Sequence, residues 1–206
     1  MVDTTSRLSE IVQNTLTEMG NIGAGNAATS LSVMLRTKIS MGIPVVKMCN
    51  FDELESFIGN PESIVVGVFS TINGGFEAVI AFLLTVEDAK NFVNIVLGDG
   101  VEWNSEIGVS AISEISNIMI GSYVSSLETL TNTKIRYSLP EICIDMAGAI
   151  LSVPYIEYSQ IGDKSLLISS ELVVGDYKID GHLMLISYSN SYDILLEKLG
   201  IGGLDG

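Results

Sequence analysis

Soft metal ligands are scarce in this chain, which has one histidine and two cysteines among 206 residues. A structural zinc site closes about four nitrogen and sulfur ligands around the ion, so zinc finds too few partners here. Cys49 and Cys143 read as ordinary buried thiols, not as a disulfide. Basic residues are also few: ten Lys and Arg stand against 25 Asp and Glu, for a net charge of −15. That balance repels nucleic-acid phosphates and anionic lipid headgroups, so neither nucleic acid nor membrane is an expected partner. A protein surface bearing lysine or arginine is a better one. Long apolar runs are missing too, since the longest clear one, Ala78–Leu84, falls far short of the ~18 residues that span a bilayer. The start, Met1–Arg7, lacks the basic-then-apolar pattern of a signal peptide. The expectation is a soluble, cytoplasmic protein. The lone His182 alternates with apolar neighbours and reads as a packed or surface side chain, not a catalyst.

What the chain has is a large apolar fraction, 47% of residues, with a mean hydropathy of +0.43, and an internal repeat. Asn14, Glu18, Asn21, Gly25 and Pro44 are matched by Ser110, Glu114, Asn117, Gly121 and Pro140, and every pair is separated by 96 positions. Lys38-Ile39 returns at the same offset as Lys134-Ile135. One unit has been duplicated. At about 100° per residue, Asn14, Glu18, Asn21 and Gly25 fall on one stripe of a helix, roughly 60° wide. Leu8, Val12, Leu16, Met19 and Ile22 take the far side, where a core can bury them. The second copy divides alike, with Ser110, Glu114, Asn117 and Gly121 outward and Ile112, Ile115, Ile118 and Met119 inward.

The remaining elements follow from periodicity and turn chemistry. A helix over about 6–35 is expected to bend or break near Gly20–Gly25, since each interior glycine costs about 1 kcal/mol relative to alanine. Gly20 and Gly23 suit a kink or tight packing; Gly25, on the stripe, suits either that or the close approach of another backbone. Pro44 opens a strand at Val45–Met48. Phe51–Ile58 reads as a short helix capped by Asp52. Ile64–Phe69 and Gly75–Leu83 form a hairpin across Asn73-Gly74, before a helix at Val86–Leu97. The second half gives a helix at Ser110–Leu130, strands near Lys134–Tyr137 and Glu141–Ile144, and a short helix N-capped by Asp145 and ended by Pro154. A hairpin of Leu166–Val174 and Tyr177–Ile186 then turns at Gly175-Asp176, and a helix follows at Ser191–Leu199. About six residues enter the second half between Pro140 and that hairpin, including Asp145. The expected fold class is α+β, one domain over residues 1–206 built of repeats at about 6–100 and 102–200. Five or six mostly antiparallel strands form a sheet layered with two long helices.

The spacing of Asp or Ser, Glu four later, Asn three later and Pro after twenty-two more resembles the signature of the CheC/CheX/FliY family of response-regulator phosphatases of bacterial chemotaxis. The resemblance covers the whole chain, in the duplicated CheC-like form. Asn14 departs from the usual Asp or Ser; Ser110 fits. The family implies a pseudo-two-fold fold with the stripe helices side by side. It implies hydrolysis of the aspartyl phosphate on the regulator CheY, with Asn21 and Asn117 orienting water and Glu18 and Glu114 engaging the regulator's lysine. Asn14 and Ser110 would bond at the rim, and Gly25 and Gly121 would leave room for the partner. Mg²⁺ would sit on the regulator, and no cofactor of the chain's own is implied. The chemistry agrees with the residue types: a carboxamide near neutrality only donates and accepts hydrogen bonds, and phosphoryl transfer needs positioning above all. Two further readings are a non-catalytic binder of phosphorylated CheY, as an adaptor or flagellar-switch component, and a regulator of the receptor deamidase CheD docked at Asp145. The few residues before the first helix, and the lack of a second domain pattern after Leu199, weigh against the flagellar switch.

Overall fold

A computed structural model of the chain describes residues 4–49, 60–157, 161–175, 177–188 and 191–201. Helix α1 (Thr4–Leu35) leads to strands β1 (Ile39–Met41) and β2 (Val45–Cys49). Strands β3 (Ile64–Asn73) and β4 (Ala78–Thr85) form a hairpin, followed by α2 (Val86–Leu97) and the second long helix, α3 (Glu106–Thr131). Then come β5 (Arg136–Tyr137), β6 (Glu141–Met146), α4 (Ala147–Glu157), the hairpin β7 (Ile161–Val174) and β8 (Tyr177–Tyr188), and α5 (Ser191–Lys198). Among the described residues all eight strands join one antiparallel sheet, ordered β1-β7-β8-β4-β3-β5, with β2 also on β7 and β6 also on β3.

Alternation along β4 shows how the layers form. Ala78, Ile80, Phe82 and Leu84 pack into the larger core with Leu16, Met19, Ile112 and Tyr123 of the two long helices. Val79, Ala81 and Leu83 point the other way, onto Ala147, Ile150 and Leu151 of α4. A strand buried on both faces reads as an unbroken apolar run, which is what Ala78–Leu84 is. The long helices thus share one side of the sheet and α4 takes the other.

The duplication is visible in the backbone. Arg36 and Asn132, equivalent positions after the long helices, both adopt left-handed φ, 50° and 48°. Seven residues before each following isoleucine, a side chain accepts its amide: Ile39 N donates to Ser32 Oγ at 3.0 Å, and Ile135 N donates to Glu128 Oε1 at 2.8 Å. The strands then cross over between halves. β1 and β2 of the first half pair with β7 of the second, and β5 and β6 of the second pair with β3 of the first.

Several sequence expectations need correction. Among the described residues the sheet has eight strands, and the first repeat adds a short one at Ile39–Met41, ahead of its proline, to match the strand expected near Lys134–Tyr137. The first hairpin turns over Asn73–Glu77, since Ile72 pairs with Ala78, and both Gly74 and Gly75 take positive φ. Helix α1 runs unbroken through its three glycines. Helix α3 begins at Glu106 because Ser105 caps it, its side chain accepting from Gly108 N. Asp145 is a residue of β6, not an N-cap; its Oδ1 accepts from the adjacent Met146 N. Helix α4 passes Pro154 and ends at Glu157. Cys143 is exposed, because β6 pairs only with β3 among the described residues. By length and hydropathy α3 could cross a membrane, but half of its apolar window is buried in this fold. The expected helix at Phe51–Ile58 with its Asp52 cap, the turn residue Asp176, and the side chains of Leu8 and Cys49 lie outside the described residues.

Candidate functional site

Asn14, Glu18, Asn21 and Gly25 are all exposed on α1, while Val12, Leu16 and Met19 on its far side are buried. On α3, Ser110 and Glu114 are exposed, Asn117 and Gly121 are half-buried, and Ile112, Ile115 and Met119 are buried. Ile22 and Ile118, expected inward, sit half-covered at the edge of the interface. No hydrogen bond or ion pair holds Glu18, Asn21, Glu114 or Asn117 among the described residues. Ser110 donates its hydroxyl to Glu106 O at 2.8 Å, which leaves its oxygen lone pairs available.

The two helices run antiparallel against each other. Gly23 of α1 meets the ring of Tyr123, while Thr29, further along α1, shares a cavity with Asn117, further back along α3. A Cβ on Gly23 would stand 2.6 Å from Tyr123 Cε1, so tight packing explains this glycine. Tyr123 is buried, its hydroxyl bonded to Ser170; burial pushes its pKa up to about 12, against the opposing effect of that bond. Gly20 is explained in the same way: a Cβ there would lie 2.8 Å from Val46 Cγ2 and 3.4 Å from Pro44 Cγ. Gln13 Nε2 donates to Val46 O at 2.6 Å. The motif proline therefore packs under the helix one residue before Asn21.

The two stripes differ in their surroundings. A Cβ on Gly25 would meet nothing within 4 Å, but one on Gly121 would lie 2.7 Å from the Tyr137 hydroxyl. Tyr137, Asn117, Gly121, Ser125, Asn26 and Thr29 are among the residues lining a cavity of about 500 Å³ beside the second stripe. The first repeat has Met41 at the position of Tyr137, so the second stripe has at this position a phenol that the first lacks. By sequence Tyr137 reads as a strand residue; its mismatch with Met41 between the repeats is the signal that singles it out. Asp145 is exposed on β6. His182 bonds through Nδ1 to Ser169 Oγ at 2.9 Å; burial lowers its pKa, opposed by Asp180 and Asp88. Among the described residues no group of three or more His, Cys, Asp or Glu is placed to hold a metal ion.

Chemically, each stripe offers a carboxylate for a cation and, one turn on, a carboxamide for a water or an oxyanion. A model of the CheC-like family matches residues 11–48 and 107–144, one segment in each repeat. The CheY-P phosphatase CheC of Bacillus subtilis (strain 168) is 29% identical over 200 residues, covering 94% of this chain and 96% of that protein. The flagellar motor switch phosphatase FliY of the same organism is 28% identical over 139 residues, covering 66% of this chain but 36% of that protein. In fold, the chain is similar to the crystal structure of Thermotoga maritima FliY, with a TM-score of 0.71 at 22% identity, covering 91% and 95% of the two chains.

Proposed function

We propose that this chain, which belongs to the CheC-like family, hydrolyses the aspartyl phosphate of the chemotaxis regulator CheY. The observation that carries the reading is the pair of solvent-facing Glu–Asn stripes, whose side chains have no partners among the described residues. Accessible, unengaged and present in both repeats, with Glu18, Asn21 and Glu114 exposed and Asn117 half-buried, they suit contact with another protein's active site.

On this reading Asn21 or Asn117 accepts and donates hydrogen bonds to one water and holds it in line with the phosphorus atom. The water oxygen bonds to phosphorus as the bond to the regulator's aspartate oxygen breaks, giving inorganic phosphate and a free carboxylate. Positioning of this kind is what phosphoryl transfer needs, because the reacting group supplies its own electrophile. Glu18 or Glu114 pairs with the regulator's lysine and fixes the helix in register. Ser110 and Asn14 bond at the rim, and Gly25 lets the partner's backbone approach, whereas at Gly121 the Tyr137 hydroxyl takes that space and itself faces the partner. Mg²⁺ belongs to the phosphorylated regulator; the chain contributes no cofactor of its own. The test is the lifetime of phosphorylated CheY with and without the protein. A lifetime unchanged or lengthened by stoichiometric protein would favour capture without turnover.

A second reading is favoured by β6, where Cys143, Ile144, Asp145 and Met146 are all exposed on a strand paired only with β3 among the described residues. Such a strand suits a further protein partner. CheD is the candidate, with Asp145 in the contact. Recovery of CheD by wild type but not by Asp145→Lys supports it, and equal recovery removes it.

A further inference from the structure

Ile43 and Leu139 are equivalent residues of the two repeats, each just before the motif proline, and they are 86% and 84% exposed. Ile11 and Ile107 are also equivalent, and are 40% and 63% exposed. Single exposed aliphatic residues are ordinary on protein surfaces. Here the exposure recurs at both repeat positions, in residues that lie on the stripe helices or within two positions of residues packed against them. Ile11 precedes Asn14 by three and Glu18 by seven, which continues the same helical stripe toward its N-terminal end. Ile43 is bonded to Pro44, whose ring packs at Gly20, next to Asn21. Leu139 follows Tyr137 by two residues, and the Tyr137 hydroxyl reaches Gly121 on the second stripe.

Resting on the phosphatase reading, we propose that Ile11 with Ile43, and Ile107 with Leu139, are apolar grips that flank each Glu–Asn stripe and dock the phosphorylated regulator. The grips are continuous with the stripes that address the phosphoryl group, and both matched family segments contain them, so the partner that meets the stripes meets the grips too. Each site then joins two desolvated aliphatic contacts to a carboxylate for a lysine, the apolar-plus-charge composition of a recognition surface. Contacts of this kind hold ground state and transition state equally, so they set affinity, not the chemical step.

Titration calorimetry tests this with CheY carrying beryllofluoride and Mg²⁺ as a phosphorylated mimic. Ile107→Ser/Leu139→Ser is expected to weaken one of two binding sites at least tenfold, and Ile11→Ser/Ile43→Ser the other, with the thermal midpoint unchanged. In hydrolysis, KM rises with kcat within twofold. Binding within twofold of wild type in both variants overturns the proposal, as does a lowered thermal midpoint, which would make the side chains structural. So does a wild-type dimer in sedimentation that either pair of substitutions dissolves, which would make a second copy the occupant. Wild type that binds the mimic through these grips without shortening the phosphate's lifetime overturns the hydrolytic reading alone. Hydrolysis unaffected by either pair overturns the grips alone.

Discussion

Gly23 lies against the ring of Tyr123 with no room for a methyl group between them, whereas Gly25, two residues on, faces open space. One helix therefore carries a glycine for packing and another whose cost has no intramolecular explanation. Gly23→Ala should destabilise the fold by about 1–2 kcal/mol, as overpacking outweighs the gain in helix propensity. Gly25→Ala should instead stabilise it by up to ~1 kcal/mol while weakening turnover at the first site. Denaturant unfolding and hydrolysis of phosphorylated CheY by both variants check this; equal stability losses would contradict it.

Ser116 takes the position of Gly20 in the second repeat and is fully buried, with its hydroxyl unpaired. Removing that hydroxyl eliminates an unsatisfied polar atom and improves helix propensity. Ser116→Ala should raise unfolding free energy by about 1 kcal/mol. A loss of stability would mean that the hydroxyl has a partner.

Tyr137 separates the two sites. With only the second site intact, in Asn21→Ala, Tyr137→Phe should slow phosphate loss by about 2- to 10-fold, the scale of one hydrogen bond. In Asn117→Ala the same change should have no effect. Equal effects in both backgrounds would make its role structural.

His182 gives a pH dependence whose direction is set by burial, which lowers its pKa in the folded chain. Above about pH 6.5 it is neutral in both states, and its contribution to stability is complete. As pH falls below that value the unfolded chain takes up the proton first, and stability is lost. Comparison of denaturant midpoints at about pH 7.5 and 5.5 should show a drop in wild type and a smaller one in His182→Gln. Identical drops would remove His182 as the cause.

Much of this arrangement is legible before any coordinates. The polar stripe shows in the sequence because helical spacing alone puts Asn14, Glu18, Asn21 and Gly25 on one face, and the constant repeat offset distinguishes them from an ordinary solvated surface. The hairpins show because turn glycines interrupt apolar runs. What stays hidden depends on long-range pairing. Asp145 looks like a cap by local chemistry, yet its backbone is taken by Val65 of β3, in the other half of the chain. Gly25 and Gly121 look alike until Tyr137 is brought over only one of them. Cys143 looks like a core thiol by residue type, but edge position overrides that tendency.

The most direct measurement follows the decay of radiolabelled phosphoryl-CheY with wild type, Asn21→Ala, Asn117→Ala and the double variant. Asn117→Ala should slow the stimulated decay strongly and Asn21→Ala less, and the double variant should return the regulator to its own unassisted rate. A double variant that still accelerates phosphate loss as wild type does would contradict water positioning by these two carboxamides.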